Sequence, residues 1–302
     1  QMCIRDSPLT QSTEGSSVSL RLNKELSALI KPLCEREGVT PFMFLLTAFK
    51  VLLSHYSGQE DICVGTPIAN RTQSELEDII GFFVNTLALR SDLSDNPTFK
   101  ELLLRVKETT LEGYDNQLAP FEKVVDRVVT TRDMSMTPLF QVMFTLQNEE
   151  GTSEDVEETK ELLVSQYESD IVNSQFDITF NISEENQDYL LEMIYSTTLF
   201  NRSTIERMLS HYQELLVNII KDIDKTIYKL SMLTQNEEVK LLESFNTNTV
   251  DYPLEKTLVD LFTEQVAKTP GSIAVVYENE SLTYQELDAV SYTHLRAHET
   301  RP

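Results

Sequence analysis

An apolar stripe at Ile205, Met208, Leu209, Tyr212, Leu215, Leu216, Ile219 and Ile220 follows a capping residue, Asn201, at helical spacing. A long helix with one buried face cannot stand alone and needs a second layer to cover it. The rest of the chain supplies candidates. Segments 18–22, 61–67, 86–89, 140–146, 176–182 and 189–195 are apolar or alternate apolar with polar residues, as strands do. Between them, Asn23 caps a helix that Gly38 stops, and Pro41 opens a strongly apolar helix through Phe42, Leu45, Leu46, Phe49, Leu52 and Leu53. Helical periodicity returns over 97–114, in Phe99, Leu102, Leu103, Val106, Thr110 and Leu111, and more briefly over 121–129. This alternation predicts an α/β chain, an α+β sandwich.

The most apolar stretch, 41–53, is interrupted by Thr47 and Lys50 and is too short to span a bilayer. The 25 basic and 49 acidic residues leave a formal net charge of −24, which repels nucleic acid and anionic membranes alike. One acidic run, 149–158, reads as a solvated loop. Cys3, Cys34 and Cys63 stand apart with no C-x-x-C pair, and Cys34 and Cys63 read as buried thiols of a reducing cytoplasm.

Residues 1–7 and 290–302 carry no recognisable pattern and read as foreign ends. A polar, Pro-containing joint at 245–256 suggests a domain boundary. Beyond it, 257–268 reads as an amphipathic helix, and 273–277 with 282–284 as paired strands.

No G-x-G-x-x-G, Walker loop or G-x-S-x-G elbow is present. His55 ends an apolar helix and reads as a capping or packing group. His211 lies off its helix's stripe and is expected to be exposed. His294 and His298 have the spacing of two ligands on one helix face, but no third ligand accompanies them. The carboxylates Glu77, Asp78, Glu122 and Asp126 read as solvated or capping groups.

Certain segments go further. Ile80-Gly81-Phe82-Phe83-Val84-Asn85-Thr86-Leu87-Ala88-Leu89-Arg90 resembles the condensation-domain motif IGxFVNTxxxR. Asn116-Gln117-Leu118-Ala119-Pro120-Phe121-Glu122 resembles HQDxPFE or NQDxPFE, and 132–141, Arg132-Asp133 through Phe140-Gln141, resembles RDxSRNPLFQ. The order and spacing are the family's, and Gly65-Thr66-Pro67-Ile68-Ala69-Asn70-Arg71 and Phe176-Asp177-Ile178-Thr179 add support. Leu118-Ala119 stands where the family usually has an acidic and then a bulky residue, and Met136-Thr137 where it has Arg-Asn. Leu282-Thr283-Tyr284-Gln285-Glu286-Leu287 resembles LTYxEL, the first block of adenylation domains.

The resemblance to nonribosomal peptide synthetases implies a chloramphenicol-acetyltransferase-like lobe of a condensation domain over 8–233, a linker over 234–256 and a short amino-terminal piece of an adenylation domain over 257–289. In such a domain an aminoacyl amine attacks an acyl or peptidyl thioester, both carried on phosphopantetheine arms of upstream and downstream peptidyl carrier proteins. The family's histidine motif, HHxxxDG, is absent, so the resemblance assigns no catalytic residue, and the chain alone is expected to be inactive and to lack its amino-terminal condensation lobe. ATP and Mg would serve only a complete adenylation domain. Of the motif residues, Gly81, Phe82, Phe83, Val84, Pro138, Leu139 and Phe140 read as packing and turn residues. Asn85, Arg90, Gln117, Glu122, Arg132 and Asp133 are polar groups in apolar segments, to be either tunnel-lining or structurally paired. A carrier-docking scaffold without chemistry and a standalone acyltransferase of the same fold are the alternatives, and the LTYxEL block argues against the second.

Overall fold

A computed structural model describes residues 11–130, 135–148, 172–185, 188–247 and 255–299. The strands are β1 (Glu14–Arg21), β2 (Asp61–Ile68), β3 (Asn85–Asp92), β4 (Val142–Asn148), β5 (Val172–Asn173), β6 (Ile178–Glu185), β7 (Asp188–Ser196), β8 (Ile273–Tyr277) and β9 (Glu280–Thr283). The helices are α1 (Lys24–Glu37), α2 (Pro41–Ser57), α3 (Phe99–Asp115), α4 (Phe121–Val128), α5 (Arg202–Lys221), α6 (Gln235–Leu242), α7 (Leu258–Lys268) and α8 (Tyr284–Glu299). The chain divides into two compact units, Gln1–Glu238 and Val239–Pro302.

The first unit is built on a seven-stranded sheet in the order β3-β2-β4-β6-β7-β1-β5. The β2–β4 and β4–β6 pairs are parallel and the others antiparallel. Helices α1, α2, α3 and α5 form a second layer on one face. Strand alternation decides which side chains they meet: Ile178, Phe180 and Ile182 of β6 and Tyr189, Leu191, Met193 and Tyr195 of β7 are buried. On the opposite face, Thr145 donates to Asn181 (2.7 Å) and Asn181 to Glu192 (3.3 Å), a polar ladder across β4, β6 and β7. Thus one face builds the main core, while the other carries this polar ladder beside the buried Met143.

Side-chain caps fix the starts of the first three helices, at Asn23 as the sequence predicts and at Thr40 and Thr98 in addition. Asn23 accepts from the Glu25 amide, Thr40 from Met43, and Thr98 with Glu101 forms a reciprocal capping box. Gly38 and Gly58 close α1 and α2 in the left-handed region, which glycine enters without strain. Asn201 occupies the cap position of α5, but its side chain makes no capping bond.

Helix α2 is buried nearly all round, which accounts for its unbroken hydrophobicity. No single helix among the described residues is long and apolar enough to cross a membrane. Lys50 is fully buried within α2, its Nζ donating to the Leu89 carbonyl (2.9 Å) and to Ser91 Oγ (2.6 Å). Burial pushes its ammonium pKa down to about 7.

After α5 the chain folds back on the start of α3. The amides of Phe99 and Lys100 donate to the Lys225 and Ile223 carbonyls, Ile227 donates to Pro97, and the Tyr228 amide donates to Asn96 Oδ1. Helix α6 then begins within the stretch that reads as linker. Its Glu237 accepts from the Thr234 amide and hydroxyl and faces His211 Nε2 at 2.9 Å. His211 Nδ1 is 2.8 Å from the Tyr56 hydroxyl, so one imidazole ties α2, α5 and the start of α6 together. The expected exposure of His211 is therefore wrong: it is 4% exposed, because α2 and the segment entering α6 cover the side of α5 outside its apolar stripe.

The second unit holds α7, the β8–β9 hairpin and α8. Thr283 and Glu286 of the LTYxEL-like segment form a capping box that starts α8.

Candidate functional site

The motif segments, far apart in sequence, meet on one patch of the first unit. At its floor is Gly65 of β2. A Cβ there would lie 2.2 Å from the Phe140 ring, so only glycine admits that ring against the strand. Phe140 is 2% exposed and stacks on Phe176 (centroids 5.6 Å) and against Phe121 (5.5 Å). The approach to β4 is stiffened locally. Thr137 Oγ1 donates to the Phe140 carbonyl (2.6 Å), Gln141 donates to the Thr137 carbonyl (2.9 Å), and Leu139 sits at φ 69°, a strained value for a branched residue. The amide of Asp177 donates to the Gln141 carbonyl, and burial raises its carboxyl pKa.

Asn85, at the start of β3, is the second organiser. Its Nδ2 donates to the Gln117 and Ala119 carbonyls, each at 2.8 Å, and its Oδ1 accepts from the Phe121 amide (3.2 Å). Pro120 offers no side-chain cap to α4, so Asn85 caps that helix from a neighbouring strand. Between the two candidate roles, tunnel lining and structural pairing, these bonds favour pairing. Replacing Asn85 with alanine is expected to destabilise the unit by about 1–3 kcal/mol and to speed exchange selectively at the Phe121 amide, which donates to Asn85. Urea unfolding with residue-resolved hydrogen exchange measures both, and an unchanged exchange pattern would contradict the capping role.

Arg90 is not part of this patch. It makes a bidentate pair with Asp61 (2.8 and 2.7 Å) at the far end of β2, with both side chains more than half exposed. The pair raises the pKa of Arg90 and lowers that of Asp61. Gln117 contributes its carbonyl to Asn85, and Glu122 is exposed in the first turn of α4. Arg132, Asp133 and the acidic run 149–158 lie outside the described residues, as do the side chains of His294 and His298. His55 is half-buried and stacks beside Tyr228 (6.3 Å), and burial lowers its pKa. Cys34 is buried and its thiol pKa is pushed up to about 12, whereas Cys63 is only half-buried.

Sequence reasoning gave no role to Arg71. Its guanidinium donates to the carbonyls of Leu76, Glu77 (3.2 Å) and Ile79 (2.8 Å) and lies 4.4 Å above the Phe83 ring. This one side chain organises the 69–84 connection between β2 and β3. A lone arginine ending a polar loop carries no periodic signal, which is why only the fold reveals it. The same loop corrects the reading of Phe82 and Val84 as packing residues. Ile80 is fully exposed, Phe82 is 91% exposed and Val84 is 49% exposed. Phe83 turns inward under Arg71, and the alternation along an extended loop sends its neighbours outward.

A family model described as "Condensation domain" matches residues 4–242. The chain belongs to the condensation-domain family. Among its relatives, a linear gramicidin synthase of Brevibacillus parabrevis is 44% identical over 283 residues, which is 93% of this chain and 5% of that protein. Surfactin synthase subunit 1 of Bacillus subtilis (strain 168) is 41% identical, across 93% of this chain and 8% of that protein. The condensation-domain chain thus spans a small fraction of the synthetases it matches. Among solved structures, holo-AB3403, a four-domain nonribosomal peptide synthetase bound to AMP and glycine, superposes with a TM-score of 0.74 at 25% identity, covering 97% of this chain and 23% of that one. The X-domain from teicoplanin biosynthesis gives 0.70 at 25% identity over 76% of this chain and 52% of that one. The mixed α/β fold is therefore that of nonribosomal peptide synthetase condensation domains, which work with carrier-protein domains.

Proposed function

We propose that this chain is the carboxyl-terminal lobe of a peptide-bond-forming condensation domain together with the first stretch of an adenylation domain, and that it is inactive until an amino-terminal lobe completes the site. The reaction asks little of this lobe beyond placement. An α-amino group has a pKa of about 8, so much of it is close to its nucleophilic form at neutral pH, and a thioester is already activated. Holding the two ends together can supply much of the rate. Two of the polar motif residues are engaged in structure: Asn85 in a cap and Arg90 in an ion pair. The proton-handling histidine is assigned to the other lobe, where the family carries HHxxxDG.

The observation that carries this reading is the fully exposed Ile80 beside the 91% exposed Phe82, on a loop that Arg71 holds in shape. Large apolar side chains on an ordered tip suit a surface that another folded body covers. The second unit supports the adenylation assignment. Helix α7 has no buried residue, and Leu258, Val259, Val276 and Tyr277 are each more than 60% exposed, as befits a piece of a larger core. The match to the gramicidin relative also runs over 283 residues, beyond the 4–242 of the family match.

The test is reconstitution. The chain alone should bind a hydrophobic dye and self-associate, and should form no amide between carrier-bound donor and acceptor. Adding the amino-terminal condensation lobe of the gramicidin relative should quench the dye, form a complex and yield amide. The double substitution Ile80→Ser and Phe82→Ser should abolish the complex while leaving the chain folded. A chain that remains monomeric, binds no dye and ignores the added lobe would sink the proposal. A complex that forms without any amide product would favour the non-catalytic docking role.

A further inference from the structure

Strands β2 and β3 are antiparallel neighbours, yet the link between them, residues 69–84, is far longer than a hairpin needs. None of its residues is buried, and its regular structure is a single 3-10 turn at Ser74–Leu76. Neither core burial nor a regular element fixes its path, and links of this length are ordinarily either functional or disordered. Arg71 takes the place of both. Its Nη1 donates to the Leu76 and Glu77 carbonyls and its Nη2 to that of Ile79, while the flat side of the guanidinium lies on Phe83. The backbone of 79 and the ring of 83 bracket the exposed Ile80 and Phe82. The turn between them is tight: a Cβ at Gly81 would come within 3.0 Å of the Phe83 ring.

A lysine could not do this. Its ammonium is a compact point charge, whereas the forked, planar guanidinium serves separated carbonyls with its edge and a ring with its face. A body that receives a tip already in shape does not have to order it during association, and such ordering is subtracted from affinity. The charges beside the tip describe that body. Arg71 is engaged by carbonyls and a ring, and Glu75, Glu77 and Asp78, which lead directly into Ile79 and Ile80, are exposed. A surface closing over this loop meets an apolar tip flanked by three carboxylates, and cations at its edge would offset the water those carboxylates lose.

We propose that Arg71 is a positioning residue for assembly: it holds Ile80 and Phe82 as a preformed plug, and the surface that receives the plug is an apolar socket with a cationic rim. That the socket lies on an amino-terminal condensation lobe rests on the reading above. The role of Arg71 rests on this loop alone.

Two measurements on the full chain test this. In the dilute, isotope-labelled chain the heteronuclear 1H–15N Overhauser effect reports fast motion of the amides at 79–83. Arg71→Ala should give them the values of a flexible loop at an unchanged urea midpoint, millimolar methylguanidinium should restore their order, and Arg71→Lys should stay as mobile as the alanine variant. The second measurement titrates the chain with the amino-terminal condensation lobe of the gramicidin relative. Arg71→Ala should weaken binding by about tenfold or more. Raising NaCl from about 0.05 to 0.5 M should weaken wild-type binding, and the triple variant Glu75→Gln, Glu77→Gln and Asp78→Asn should bind less tightly at low salt and lose most of that dependence. A tip equally ordered in Arg71→Ala, or a lowered midpoint that methylguanidinium does not restore, would overturn the positioning role. Lobe binding indifferent to salt and to the triple variant would overturn the cationic rim. A tip that depends on Arg71 in a chain that binds no lobe would sink the condensation reading and the socket with it, leaving the positioning role standing.

Discussion

Replacing Phe49 with alanine is expected to destabilise the first unit by about 3–5 kcal/mol. Phe49 is fully buried on α2, and its ring meets Phe180 at 4.8 Å, Phe144 at 5.8 Å and Tyr212 at 6.5 Å. It therefore joins two central strands of the sheet to two helices of the covering layer. The void left by truncation is walled by β4 and β6 on one side and α5 on the other, and hydrogen-bonded strands cannot move in to fill it. The gross loss combines the transfer of a large apolar side chain with the cavity term. Urea unfolding of the variant beside Phe49→Leu measures it. The leucine variant should lose less, and an alanine loss below about 1 kcal/mol would mean that the helical layer is not packed tightly on the sheet.

Stability should also rise with pH above neutrality through Lys50. Its folded pKa is pushed down to about 7, whereas in the unfolded chain it returns to the ordinary lysine value of 10.5. Between those values the unfolded state binds the extra proton, so raising the pH favours the folded state. Below about 7 both states are protonated and the penalty is constant. The slope for one proton is about 1.4 kcal/mol per pH unit, or about 3 kcal/mol between pH 7 and 9. Of the groups around Lys50, Leu89 and Ser91 accept its hydrogen bonds, and Cys63 is the titratable neighbour, its own thiol pKa raised by burial. Lys50→Met removes the proton-binding group while keeping the side chain's length. The difference in unfolding free energy between the wild-type chain and this variant should therefore change with pH by that slope, and a difference independent of pH from 7 to 9 would refute it.

Much of this fold is legible in the sequence where local chemistry decides it. Asn23 announces the start of α1 because its side chain satisfies the Glu25 amide, α3 and α7 announce themselves by apolar periodicity, and β6 and β7 by having one face buried and the other not. What pairing at a distance decides is not legible. Strand β5 is two residues long and has no pattern to detect, and α6 has no buried residue to mark it in a stretch that reads as linker, while Glu237 meets a His211 far away in sequence. The motif segments can be ordered along the chain, but their convergence on Gly65 follows from strand register, which no local window contains. Hydrophobicity alone cannot tell Phe83, which turns under Arg71, from Phe82, which faces solvent.

The return of the chain after α5 bears on how such synthetases can be recombined. Residues 223–228 satisfy backbone groups at the head of α3, and Glu237 completes the contact to His211, so these positions belong physically to the sheet-and-helix unit that ends at Glu238. A chimera joined between 222 and 238 would inherit from one parent the donors and acceptors that the other parent's α3 and α5 must match. A junction placed after Glu238 leaves every one of those bonds within a single parent, and is where exchange of the downstream part should disturb this unit least.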